Sequence, residues 1–257
     1  MADNSHHIEN GATHAFDPMH QFELKKIFEL PQIGGLDISF TNSSLWMLIA
    51  IFSISLFMIF ATRRKNIVPT RLQSLAEIAY EFVANMVRDN VGTQGQKYFP
   101  FIFSLFMFVL FCNMLGMLPY SFTVTSHISV TLALAMMVFL GVTFIGFAKH
   151  GVGFLKLFVP SGIPIILLPL LVVIEIISYL SRPISLSVRL FANMFAGHTM
   201  LKVFASFVIS LGFLGGWAPL GFMVVFTGLE MLIAFLQAYV FAILTCIYLN
   251  DAIHMNH

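Results

Sequence analysis

The chain has 257 residues, 58% of them hydrophobic and 10% charged, with a mean hydropathy of +0.90, a balance that belongs to a protein immersed in lipid and excludes a water-soluble globule. Thirteen Lys+Arg against twelve Asp+Glu leave a formal charge of +1, neither a basic field for nucleic acid nor an acidic tail. Cys112 and Cys246 sit in separate apolar runs, without the close spacing of a disulfide framework, a zinc cluster or a redox pair, and read as small core residues.

Residues 1–44 form a polar arm without a cleavable signal pattern. Asp17-Pro18 has the chemistry of a helix start, and Phe22, Leu24, Ile27, Phe28 and Leu30 suit a short helix at the membrane interface. His6, His7, His14 and His20 are irregularly spaced in this arm and read as solvated side chains, not metal ligands. Residues 45–257 form a single membrane domain. Apolar runs near 45–61, 98–118 and 128–148 each approach the ~20 residues needed to cross ~30 Å of hydrocarbon. Between the first two, Pro69 opens a segment in which Leu72, Leu75, Ala79, Phe82 and Met86 recur at three- and four-residue steps. That pattern predicts an amphipathic surface helix, or equally an ordinary linker helix. The segments 163–211 and 221–249 are longer, and GFLGGWAP between them supplies the turn of an antiparallel hairpin. The expected fold is therefore an all-α integral membrane protein. It has about five membrane-embedded helices, including a long tilted C-terminal hairpin, and an amphipathic surface helix. Arg63-Arg64-Lys65 follows the first span and Lys149 and Lys156 follow the third, whereas the loop from Pro119 to His127 carries no Lys or Arg. The positive-inside rule puts the N-terminus outside.

Within the first hairpin segment Glu175, Ser178, Arg182, Ser185 and Arg189 recur at steps of three, four, three and four, which is one helical stripe. Ala192 and Ala196 continue it with small side chains, as expected where another helix passes close by. The competing reading makes Arg182 to Asn193 a hydrophilic loop joining two spans. That would place both arginines outside, against the charge bias elsewhere, so one long helix is expected, bent at Pro169 and Pro183. An intramembrane arginine costs roughly 2.5–3.5 kcal/mol on insertion scales, which makes it a functional residue by default. Lys202, further along, snorkels to the outer interface.

Folding the hairpin back brings three polar pairs level: His198 with Glu230, Arg189 with Gln237, and Glu175 with Asp251. At 1.5 Å per residue Glu175 lies about 21 Å to the inner side of Arg189 and His198 about 13 Å to the outer side, on roughly the opposite face. Histidine exchanges protons near neutral pH, and a glutamate beside it adds a second carrier, whereas arginine stays charged. Each residue alone has an ordinary reading as a buried hydrogen-bonded side chain; a level pair beside a buried arginine favours a proton relay.

SLSVRLFANMFAGH together with GLEMLIAFLQAYVFAILTCIYLNDA closely resembles subunit a of the F-type ATP synthases, in the mitochondrial and alphaproteobacterial arrangement with the histidine on the long helix and the acid on the last. The resemblance runs from the first span to the C-terminus and is strongest from Glu175 onward. It implies two offset half-channels meeting a rotating c-subunit ring, with b-type peripheral stalk subunits and membrane lipid as further partners and no cofactor. It matches Arg189 to the family's essential arginine, and Asn193, His198, Glu230 and Gln237 to the polar positions around it and along the outer half-channel. Glu175, Ser178 and Ser185 are candidates for the inner route, with Asp251 joining them through the hairpin register. No phosphate-cradling GxxxxGK[ST] occurs, so nucleotide chemistry is expected elsewhere. A proton-coupled secondary transporter would need an internal repeat around a substrate cavity, which the sequence does not display. A proton-conducting subunit of a respiratory complex is the other alternative.

Overall fold

Long apolar segments in lipid must satisfy their backbone internally, which leaves the helix as the default element. The computed structural model describes residues 26–28, 39–63, 69–118, 121–158 and 167–254. Among these, α1 (Asn42–Thr62), α2 (Arg71–Val91), α3 (Phe99–Gly116), α4 (Ile128–His150), α5 (Leu168–Gly215) and α6 (Trp217–Ile253) account for nearly all the structure, with 3₁₀ turns at Thr93–Tyr98, Val124–Ser126 and Gly151–Phe158. Five of the helical segments, all but α2, are long and apolar enough to cross a membrane.

The arm departs from expectation. Lys26–Phe28 (β1) pairs antiparallel with Phe40–Thr41 (β2), so Ile27 and Phe28 belong to a strand and not to an interfacial helix. Both residue types suit extended backbone, and the segment leading into α1 supplies a partner edge. Asp17, Pro18, Phe22, Leu24, Leu30 and the four histidines lie outside the described residues, as do Arg64 and Lys65.

α2 begins where Thr70 accepts a hydrogen bond from the Gln73 amide at 3.4 Å and ends at Gly92, whose φ of 76° suits glycine. Its two halves have different fates. Val83, Met86, Val87 and Val91 enter the common core, while Leu72, Leu75 and Ile78 stay exposed. It is therefore a surface helix docked on the bundle by its second half. Pro100 sits in the first turn of α3, where its missing N–H costs nothing.

α6 passes through the middle of the bundle. Ala234, Ala238, Ala242 and Cys246, one per turn, are each 0% exposed, and this small-residue stripe lets neighbouring helices approach closely. Around it pack Ile102, Phe106 and Val109 of α3, Ala135 and Val138 of α4, and Leu186 and Leu190 of α5. Asn113 of α3 is also fully buried and donates to the Ala234 carbonyl at 3.2 Å.

α5 runs continuously through Arg182–Asn193, which disposes of the loop reading. Its 48 residues extend roughly 70 Å, more than twice the hydrocarbon thickness, so the helix must lie oblique to the membrane normal. The expected bends shift. Pro169 falls in the first turn, Pro183 is accommodated inside the helix, and the non-helical residue is Gly212, with φ 61°. A proline removes one donor, but only the glycine reverses the backbone hand. Gly216 then hands the chain to α6.

Candidate functional site

The polar stripe of α5 lies on open surface. Ser178, Ser185 and Arg189 are exposed, Glu175, Arg182 and Asn193 half-buried, and Ala192 and Ala196 exposed. The helix for which this narrow face leaves room is therefore not α6 or any other described element of the chain. α6 packs on a different side, and there Gly197 is the residue of close approach: a Cβ at this position would stand 2.8 Å from Glu230 Oε1.

His198 and Glu230 meet as the hairpin register predicts. Nδ1 of the imidazole lies 2.5 Å from Oε1 of the carboxylate, with 11% and 5% of the side chains exposed. The two atoms are close but not aligned as a hydrogen bond. His198 Nε2 and both Glu230 oxygens have no hydrogen-bond partner among the described residues, and buried polar atoms of this kind call for a specific explanation, a functional role or a bound water or ion among them. Gln237, two turns from Glu230, is buried at 9% exposure. No hydrogen bond joins it to Arg189 among the described residues.

The third expected pair is corrected. Asp251 faces Arg182 instead of Glu175, with guanidinium Nη1 donating to Oδ2 at 2.9 Å. Two level carboxylates would repel, whereas arginine's long side chain reaches about one helical turn to an opposite charge. Register carries the same information: sixteen residues separate Arg182 from His198, but twenty-one separate Glu230 from Asp251. At 1.5 Å per residue that difference is roughly 7 Å, about the reach of the arginine stem. The Arg182 guanidinium also lies 5.4 Å from the Tyr179 ring centre and 5.0 Å from that of Tyr248, and Tyr179 shares a 2.6 Å hydrogen bond with Thr143 of α4. Arg182 is thus held by a carboxylate and two aromatic faces. Arg189, two turns further along the same stripe, makes no ion pair with any described residue. Glu175 likewise has no ion-pair partner among them.

This seam sits in a chain whose residues 44–250 match the family model for the ATP synthase A chain. The chain belongs to that family. Among its relatives, the ATP synthase subunit a of Pelagibacter ubique (strain HTCC1062) is 63% identical over 243 residues, covering 95% of this chain and 100% of the relative. That of Chelativorans sp. (strain BNC1) is 61% identical over 249 residues, with 95% and 100% coverage. That of Parvibaculum lavamentivorans is 60% identical over 255 residues, with 97% and 98% coverage.

Three features of this chain carried too little signal to be read from the sequence. Gly197 stands between Ala196 and His198, and a glycine beside a candidate site residue is only a weak signal of close approach. Asn113, the polar exception in the second apolar span, accepts from Thr125 at 2.8 Å while donating to α6. Thr131 and Ser187 share a buried 3.1 Å hydrogen bond between α4 and α5. Single hydroxyls in apolar helices carry no periodic signature, so this last pairing had no sequence signal.

Proposed function

We propose that this multi-pass membrane protein acts as the proton-translocating stator of a rotary F-type ATP synthase, with Arg189 as the fixed cation between two aqueous half-channels. The observation that carries the reading is the unequal treatment of two arginines on one helical stripe. Arg182 is neutralised within the chain, and Arg189 is left open on a membrane helix. A bare guanidinium there is costly, so a partner carboxylate arriving at the exposed stripe supplies the missing counter-charge. A c-subunit ring, each copy bearing one carboxylate, fits that requirement, and the small residues Ala192 and Ala196 leave room for its helix.

The chemistry follows from the charges. A proton enters from the outer side past His198 and Glu230, whose close pairing lets a proton pass between an imidazole nitrogen and a carboxylate oxygen. Asn193 and Gln237 line the approach to the arginine. The proton neutralises a ring carboxylate, which can then turn through lipid without carrying a charge. On reaching the inner route beside Glu175, Ser178 and Ser185 it releases the proton, and the anion is drawn to Arg189. The guanidinium does not deprotonate, so it cannot pass protons between the channels itself. Each elementary charge crossing 100 mV releases ~2.3 kcal/mol, which biases the rotation. Asp251 borders the inner route, restrained by Arg182.

Nucleotide chemistry belongs to other subunits of the complex, and this chain is a non-catalytic channel component. b-type stalk subunits hold it against the torque of the ring. The membrane is an energy-coupling one, the bacterial inner membrane or the mitochondrial inner membrane, with the lysine- and arginine-rich ends of the helices on its inner side. Arg189→Ala should abolish proton-driven ATP synthesis in energised vesicles while the complex still assembles. Wild-type synthesis by an assembled Arg189→Ala complex would refute the reading.

A further inference from the structure

At the end of the bundle where the basic residues gather, a cavity of ≈ 430 Å³ opens between the 3₁₀ turn before α3, the last turn of α4 and the C-terminal end of α6. Gln94, Lys97, Tyr98, Lys149 and Ile253 are among its lining residues. Neither lysine makes an ion pair with a described residue. Lys149 Nζ donates to Gln94 Oε1, and an ammonium carries three donors, so two remain for a ligand. Two exposed cations at one mouth, neither paired with a described carboxylate, make it attractive to an anion.

The cavity does not end at its polar mouth. Tyr98 and Ile145 also line a second cleft of ≈ 130 Å³, which lies among Phe101, Gly141, Val142 and Leu249. Its walls belong to α3, α4 and α6, deeper along the spans, and their exposed surface is apolar. Gly141 leaves open space where a side chain would begin. The mouth suits a phosphate and the cleft a hydrocarbon chain. Tyr98 stands between them, as tyrosine does at a headgroup boundary.

We propose that this paired cavity binds one anionic phospholipid of the basic-side leaflet, its phosphate between Lys97 and Lys149 and an acyl chain in the cleft beside Gly141. Basic pockets between membrane helices on the inner side are suited to such headgroups. The position has a consequence for the site. His150 Nε2 lies 3.2 Å from the Ile253 carbonyl, and Ile253 follows Asp251 by two residues. A lipid wedged here would brace the inner end of α6 against α4, next to the Arg182–Asp251 pair.

The test uses the intact complex, extracted in detergent and reconstituted in vesicles of phosphatidylcholine with or without phosphatidylglycerol. Retained lipid is read by mass spectrometry for wild type, the double variant Lys97→Gln/Lys149→Gln, and Gly141→Leu. Wild type should retain phosphatidylglycerol in preference to phosphatidylcholine. The double variant should lose that preference by about fivefold per lysine removed. Gly141→Leu, which leaves both charges in place, should lower retention by filling the cleft. Inorganic phosphate should not displace the lipid. Equal retention in wild type and both variants overturns the proposal, as does displacement by inorganic phosphate with Gly141→Leu unaffected, which would identify a free-anion site. A photoreactive side chain at Ile145 that cross-links to a protein subunit instead of a phospholipid also overturns it.

Discussion

Gly197 shows how much one hydrogen atom controls. With a Cβ 2.8 Å from Glu230 Oε1, a larger residue must push the carboxylate from His198 or spread α5 from α6. Neither is cheap where both acidic and imidazole groups are almost fully buried. Gly197→Leu should therefore slow proton access by an order of magnitude or more while sparing Arg189, measured as passive proton conductance of ring-containing membrane sectors. His127 makes a second residue-scale case. It stacks on Phe122 with ring centres 4.9 Å apart, and burial pushes its imidazole below the usual histidine range. With the folded value lowered, the unfolded segment binds protons more readily. Stability of this turn thus falls as pH drops below ~6.5 and levels off only beneath the folded value. Hydrogen exchange across 121–127, corrected for intrinsic rates, should show protection declining from pH 7 to pH 5 in wild type and much less in His127→Gln.

At the scale of elements, the sequence carried the long helix because charge bias and periodicity agreed: a loop at Arg182–Asn193 conflicted with the basic residues elsewhere, whereas a helix put five polar side chains on one stripe. The His198–Glu230 pairing was readable for the same reason, since hairpin register needs only a turn and constant spacing. Reading failed where side-chain length or long-range packing decides. Arg182 reaches past the level partner to Asp251, Asn113 finds a carbonyl on a helix far along the chain, and Lys26–Phe28 takes up an extended partner that no local pattern announced. The bend at Gly212 was hidden for a different reason, because the two prolines were the more obvious disruptors. Its φ of 61° with ψ of −160° is a region essentially confined to glycine, which costs a side chain about 1–3 kcal/mol. Gly212→Ala should lower the thermal stability of the purified chain, and Gly221→Ala, in open space without a positive φ, should not. Equal melting points for the two variants would show that the bend is not what the glycine supplies.

Over the whole molecule, the buried interior and the exposed stripe divide the labour. α6 supplies a small-residue spine on which α3, α4 and α5 close, and that core fixes α5 so that one face carries Arg189, Ala192 and Ala196 outward. The core also holds His198 and Glu230 on the opposite side, so the outer proton route proposed above would stay off the arginine stripe over most of its length. On the proposed function, the rotor helix passes along this open stripe. Single cysteines at Ala192, Ala196 and the fully buried Met194, each paired with a cysteine near the ring carboxylate, test it in the assembled complex; native Cys112 and Cys246 are buried and do not compete. Oxidative cross-links should form from positions 192 and 196 and not from 194. Absence of cross-linking from both exposed positions, or equal cross-linking from 194, would contradict it.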